Sequence, residues 1–206
     1  MSQLSIPRIT MSDLELVDIL WKDVLTMLRH RVYHGENGTV PLVNPEEAGE
    51  ALGEGRWRIQ GNDGRTYSIR IILDKVKSIA KNSPVADFVK DEPGAIKILI
   101  AGGFNKNVYE YARTNDVQLL THQVVRLGIV YARDQPEFTP LSEEEGKEVF
   151  REWDLDHYSM KRFMANDPVV LYYGLQPGDV VRITRPSPTA GYAIDYRYVS
   201  YDMAKI

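Results

Sequence analysis

A chain of 206 residues with 25 Lys+Arg against 29 Asp+Glu, four His and no cysteine is long enough to bury a substantial core, as one large domain or two small ones. Lack of cysteine excludes disulfides and every thiolate-held metal; no apolar run reaches the length of a membrane span, and the first thirty residues lack the basic, apolar, small-residue order of a secretory signal, so an intracellular product is expected. Residues 137–206 hold 8 basic and 12 acidic side chains and residues 1–136 hold 17 of each, so neither half is a basic nucleic-acid module, any DNA contact should be local, and strong partners should be proteins.

Residues 1–11 contain Pro7 and no clear period, and predict a partly ordered lead-in. Ser12-Asp13-Leu14-Glu15 is a capping box, and Leu14, Val17, Leu20, Trp21, Val24, Leu25, Leu28 and Val32 form a stripe at helical spacing. The stripe predicts a helix that ends near His34-Gly35 with Gly35 as a left-handed cap. His30 and His34 would then lie one turn apart, a spacing that can hold a metal; the glutamate of a HExxH motif is absent, and histidines near a helix C-terminus already suit the dipole, so no metal site is assigned. A loop is expected over Gly35 to Pro45, then a short helix over Glu46 to Leu52 closed by Gly53.

Arg56 to Gln60 and Arg65 to Leu73 read as strands joined by Gly61-Asn62-Asp63-Gly64, whose Asp-Gly favours a hairpin turn. Asp74 to Lys81 reads as a helical piece with Val76 and Ile79 facing inward, interrupted by Pro84. Ile96 to Ala101 is a continuous apolar run, expected to be a strand buried on both faces. Gly102-Gly103 followed by Phe104-Asn105-Lys106-Asn107 has the strand, glycine pair and helix start of an anion site, which admits a free-standing nucleotide- or nucleic-acid-binding enzyme as the alternative reading. Neither a Walker lysine nor GxGxxG accompanies it. A helix over Val108 to Arg113, a strand over Val117 to Thr121 and a further strand over Val125 to Tyr131 complete an α/β layered domain over residues 1–136.

Asp134, Gln135, Pro136 and Pro140 read as a stiffened linker. Ser142-Glu143-Glu144-Glu145 opens a helix with a second capping box, from which Trp153 should pack inward. Asn166-Asp167-Pro168 starts a short helix with Pro in its first turn, Gly174 ends it, and Gln176-Pro177-Gly178-Asp179 has the order of a type II turn. Val181 and Ile183 then alternate with Arg182 and Thr184, and Ile194, Tyr196 and Tyr198 alternate with Asp195 and Arg197, which predicts two strands. Pro186 and Pro188 should confine Arg185 to Gly191 to the loop between them.

The segment from Asp167 to Gly191, with Tyr196-Arg197-Tyr198 after it, closely resembles the C-terminal module of one family of small RNA polymerase subunits, known in eukaryotes as the fifth common subunit of polymerases I, II and III and present in archaea in a short form. Asp167-Pro168, Tyr173-Gly174-Leu175, Gly178, Val180-Val181, Arg185-Pro186-Ser187, Thr189-Ala190-Gly191 and Tyr196-Arg197 keep the family's order and spacing. Some positions depart from it: Gln176-Pro177 stands where the family has a basic pair, Pro188 where glutamate is common, and Tyr192 where arginine is common. Over residues 12–133 the likeness is in element order alone. The resemblance implies an α/β N-terminal jaw-like domain, residues 1–136, plus a small α+β C-terminal module, residues 137–206, in a non-catalytic subunit of a multisubunit DNA-directed RNA polymerase.

The same resemblance implies contact with the largest subunit through Tyr173, Gly174, Arg185, Pro186, Ser187, Thr189, Gly191 and Arg197. It places the start of the helix after the central strand, here Asn105, Lys106 and Asn107, near downstream duplex DNA, although the family's Thr-Pro-Ser-Ala turn is missing. No cofactor or metal is expected. Restriction nucleases, to which the eukaryotic N-terminal domain has been likened, need a carboxylate and an acid-x-Lys triplet to hold Mg²⁺; Ile96-Lys97-Ile98-Leu99-Ile100 carries no carboxylate, and no GxSxG elbow is present. A cellular copy would reside in the nucleus; large DNA viruses encode diverged copies, which would act in the host cytoplasm or enter the virion.

Overall fold

The computed structural model describes residues 12–35, 38–79, 83–126, 135–154 and 159–200; the lead-in expected over residues 1–11 lies outside them. Helix α1 (Asp13–His30) begins at the predicted capping box, with the Glu15 amide donating to Ser12 Oγ and the Ser12 amide to Glu15 Oε2 at 2.8 Å. Its stripe buries Leu20, Trp21, Val24, Leu25, Met27 and Leu28.

The helix ends at His30, one turn earlier than predicted. Arg31 adopts an extended conformation (φ −69°, ψ 143°) that turns its side chain into the interior. The chain then runs into a hairpin of β1 (Val32–Gly35) and β2 (Gly38–Pro41), where the sequence predicts a loop. Gly35 is therefore a strand residue opposite Gly38 rather than a helix cap, and His30 and His34 do not share a helix face. His30 Nδ1 lies 2.8 Å from the Tyr172 hydroxyl and His34 Nδ1 lies 2.9 Å from Thr39 Oγ1.

A five-stranded sheet follows in the order β3 (Glu50–Gly53), β4 (Arg56–Gln60), β5 (Thr66–Val76), β6 (Ile96–Phe104), β7 (Val117–Thr121). The first three strands are antiparallel neighbours, and β5, β6 and β7 are parallel. The helix expected over Glu46 to Leu52 is instead edge strand β3, because Gly53, Glu54 and Gly55 all take positive φ and fold the chain tightly back onto β4. Asp74 to Val76, expected to be helical, continue β5: Lys75 and Val76 pair with Gly103 and Phe104 of β6, and that ladder overrides the local pattern. The predicted turn at Asp63-Gly64 is present, with Gly64 at φ 76°.

One face of this sheet packs on α1 through Trp57, Ile59, Tyr67, Ile69, Ile71, Ile98 and Ile100, and Trp21 stacks on Trp57 at 4.7 Å. The opposite face is covered by α2 (Pro84–Lys90) and α3 (Lys106–Thr114), which enclose Phe88, Leu99, Ala101, Val108 and Leu119. Burial on both faces is what the apolar run of β6 anticipates. After β7 the chain enters α4 (His122–Arg126), so Val125 is helical where the sequence predicts a strand; the Thr121 hydroxyl accepts from the Val124 amide and starts the turn. The remainder of that expected strand, residues 127–131, lies outside the described residues.

The second half is a four-stranded sheet in the order β8 (Glu137–Pro140), β10 (Val180–Ser187), β11 (Gly191–Val199), β9 (Arg162–Phe163), with α5 (Glu143–Glu152) and α6 (Pro168–Tyr173). Glu137 to Pro140, expected as linker, pair with Thr184 to Val181; an edge strand tolerates Pro140 because its missing amide faces no inner ladder. Trp153, expected inward, is 57% exposed at the C-cap of α5 and meets Tyr196 edge-on. Pro186 sits in β10 opposite Tyr192, beyond the reach of β8, so the loop shrinks to Pro188-Thr189-Ala190.

The two halves share a core. Tyr172 and Tyr173 of α6 belong to the cluster built on α1. Between them lies Arg31, whose Nε donates to the Tyr172 carbonyl at 2.9 Å, Nη2 to the Leu171 carbonyl at 3.0 Å and Nη1 to Gln118 Oε1 of β7 at 2.9 Å. Gly174, the left-handed cap of α6 (φ 68°), lies against it, and a Cβ there would stand 3.0 Å from Arg31 Cζ.

Replacing Arg31 by Met keeps apolar volume but removes the donors to the Tyr172 carbonyl and to Gln118 Oε1, while the Leu171 carbonyl keeps the Gly174 and Gln118 amides, so Arg31→Met should lower unfolding stability by about 2 kcal/mol, read from the urea midpoint. A second prediction concerns pH. Burial holds His122 below its ordinary range, opposed by the bond from Nε2 to the Ile72 carbonyl oxygen at 2.9 Å. A histidine with a lowered folded pKa is protonated more readily when unfolded, so stability is unaffected well above about pH 6.5 and falls as pH drops below it. The urea midpoint of His122→Gln should fall less between pH 7.5 and 5.5 than that of the parent chain.

Candidate partner-binding site

The β10–β11 ladder fixes which side chains share a surface. Val181↔Arg197 and Ile183↔Asp195 are cross-strand pairs, and Arg185 follows Ile183 on the same side of β10. Arg185, Arg197 and Asp195 therefore border one recess of about 290 Å³, walled by Phe138 of β8, Phe163 of β9, and Asp167 and Val169 at the start of α6. Phe138 lies 6.3 Å from Phe163 and 6.4 Å from Tyr173, so an aromatic wedge links recess to core. Over Phe163, at 4.8 Å from the ring centroid, stands the Arg197 guanidinium. At the hairpin tip, Ser187 Oγ accepts from the Ala190 amide and lies 3.4 Å from Thr189 Oγ1, while Gly191 at φ 74° closes the turn.

Of the residues that the sequence suggests for partner contact, the structure brings Arg185 and Arg197 together and places Pro186, Ser187, Thr189 and Gly191 at the tip beside them. Tyr173 and Gly174 go elsewhere: Tyr173 is buried and its hydroxyl pKa is pushed up to about 12 by desolvation, first, and by Glu137, while Gly174 packs on Arg31. Both line a larger cleft of about 1020 Å³ between the β1 hairpin, α5 and the start of β10. Phe138 and Phe163 carry no signal of a site in the sequence, Phe138 because it sits between prolines that read as linker.

The Gly102-Gly103 pair is not a phosphate-binding turn. Both residues lie inside β6, and a Cβ on Gly102 would sit 2.3 Å from the Leu73 carbonyl oxygen, so the glycine serves the close approach of β5. Asn105 caps α3: its Oδ1 accepts from the Val108 amide and its Nδ2 donates to the Lys77 carbonyl. Lys106 is exposed 3.9 Å from Glu110, and Asn107 is exposed beside it.

Sequence comparisons add a family to this geometry. The family described as RNA polymerase Rpb5, C-terminal domain, matches residues 129–199. DNA-directed RNA polymerase subunit 5 of Acanthamoeba polyphaga mimivirus is 30% identical over 199 residues, 95% of this chain and 97% of that protein. Subunit Rpo5 of the archaeon Thermococcus onnurineus is 37% identical over 91 residues, 44% of this chain and 99% of its own length. The subunit rpabc1 of RNA polymerases I, II and III of Dictyostelium discoideum is 37% identical over 83 residues, 40% of this chain and 39% of that protein. With a relative of this identity aligned along nearly its whole length, the chain belongs to the subunit 5 (Rpb5/Rpo5) family of DNA-directed RNA polymerases.

Proposed function

We propose that the chain is a non-catalytic subunit of a multisubunit DNA-directed RNA polymerase, holding the largest subunit through the module of residues 137–206 and standing as a jaw-like domain beside downstream DNA through residues 1–136. The observation that carries the reading is the archaeal match: a polymerase subunit is covered over 99% of its length by 44% of this chain. The named domain match over residues 129–199 coincides with the second sheet and its hairpin. A chain that is little more than this module must assemble through it, and the arginines and aromatic neighbours of the β10–β11 hairpin are the residue types that interfaces favour. The compartment follows the polymerase: nucleus for a cellular copy, host cytoplasm or virion for a viral one.

Affinity capture from the native source should recover the large polymerase subunits with the full chain and, more weakly, with the fragment of residues 137–206. Arg185→Ala should reduce the yield without changing the fold by circular dichroism. Capture of the chain alone, or undiminished yield with Arg185→Ala, would count against the assignment of partner or of interface respectively.

The DNA-facing role rests on Asn105, Lys106 and Asn107. One exposed lysine with two amides can meet a phosphate without reading bases, and so little charge gives weak binding by the free subunit at physiological salt. Lys106→Glu should reduce crosslinking to downstream DNA in assembled polymerase while the isolated subunit binds duplex poorly with or without the change; unaltered crosslinking would remove Lys106 from the contact.

A further inference from the structure

The recess beneath the hairpin is lined by two cations, Arg185 and Arg197, neither of which forms a salt bridge among the described residues, and by two acids, Asp167 and Asp195. The acids on its walls are engaged elsewhere: Asp167 Oδ1 accepts from the Val169 amide at 2.9 Å, and Asp195 Oδ2 accepts from Lys161 Nζ at 2.9 Å. Arg197 Nε is buried and has no hydrogen-bond partner among the described residues. The contact of its guanidinium with the Phe163 ring is a cation–π contact, which adds no hydrogen-bond acceptor for it. Phe138, Phe163, Val169 and Ile183 form the apolar part of the lining, and a charge pair closed over such a surface is stronger than one in water.

Building on the assembly reading above, we propose that this recess is a socket for one acidic side chain, aspartate or glutamate, presented by the largest polymerase subunit and gripped between Arg185 and Arg197. A carboxylate matches the guanidinium fork and can accept from both arginines at once. At about 290 Å³ the cavity admits one side chain with its backbone, and a duplex is far wider. A module with 8 basic against 12 acidic residues disfavours a polyanion as a whole, while the two arginines can take a single carboxylate between them. Protein carboxylate rather than DNA phosphate is therefore the favoured occupant.

The test measures affinity of the full chain for the purified largest subunit, with the parent and the Arg197→Gln, Arg185→Gln and Arg185→Lys variants, each checked for an unchanged unfolding midpoint. The Gln variants should bind about tenfold more weakly and the Lys variant less so. An alanine scan of exposed Asp and Glu on the largest subunit should find one substitution that weakens the parent chain equally but adds nothing in the Arg197→Gln background. A short DNA duplex should not compete. If the parent binds while the Gln variants bind as well, or no acid couples to Arg197, or duplex competes for the arginines, the socket is overturned and the assembly reading stands. Failure of the parent to bind the largest subunit removes both.

Discussion

A guanidinium with no carboxylate partner among the described residues sits where α1, β7 and α6 meet, and the arrangement of both sheets depends on how it is satisfied. Burial lowers the pKa of Arg31 to about 10, so the group stays charged at neutral pH despite complete desolvation. Its compensation comes from carbonyl oxygens at the C-terminal end of α6, where backbone acceptors lack helical donors, and from Gln118, whose own amide donates to the Leu171 oxygen at 3.2 Å. Lysine would not substitute: a point charge lacks the planar fork that reaches three acceptors at once. The same contact explains why α1 ends at His30, since a helical Arg31 would not turn toward α6, and why Gly174 has no side chain.

From that junction the geometry passes outward to the hairpin. Tyr172 and Tyr173 are held in the α1 cluster, Tyr173 meets Phe138, and Phe138 meets Phe163, over which Arg197 lies. The recess at the surface is thus the last layer of a continuous aromatic packing that begins in the other half of the chain. Segment 137–140, far from being a tether, is a strand of the same sheet.

Much of the second half is legible in the sequence because local and tertiary preferences agree there. The capping box at Ser142, the Asp167-Pro168 start, the Gly174 cap and the alternation at the start of β10 and along β11 all specify what forms. The two prolines, by contrast, read as loop and hide that Arg185 and Pro186 continue β10 opposite Ala193 and Tyr192, which is what brings Arg185 onto the Ile183 face beside Arg197. What stays hidden is decided by neighbours distant in sequence. The apolar stripe of α1 continues to Val32, yet the pull of α6 on Arg31 stops the helix; Asp74 to Val76 have no strand signal of their own, yet Gly103 and Phe104 pair with two of them. Gly102 suggests anion chemistry by sequence, while its space is taken by the Leu73 carbonyl.

The shortness of the hairpin tip bears on the thermodynamics of docking. Eight cross-strand pairs run from Val180↔Tyr198 to Ser187↔Gly191, leaving three residues to turn, one of them Pro188, with Ser187 Oγ bonded to the Ala190 amide. Such a surface enters an encounter already ordered, so association costs little backbone entropy on this side. The heat-capacity change of docking should then scale with the apolar area covered, without the larger contribution that accompanies folding of a disordered arm.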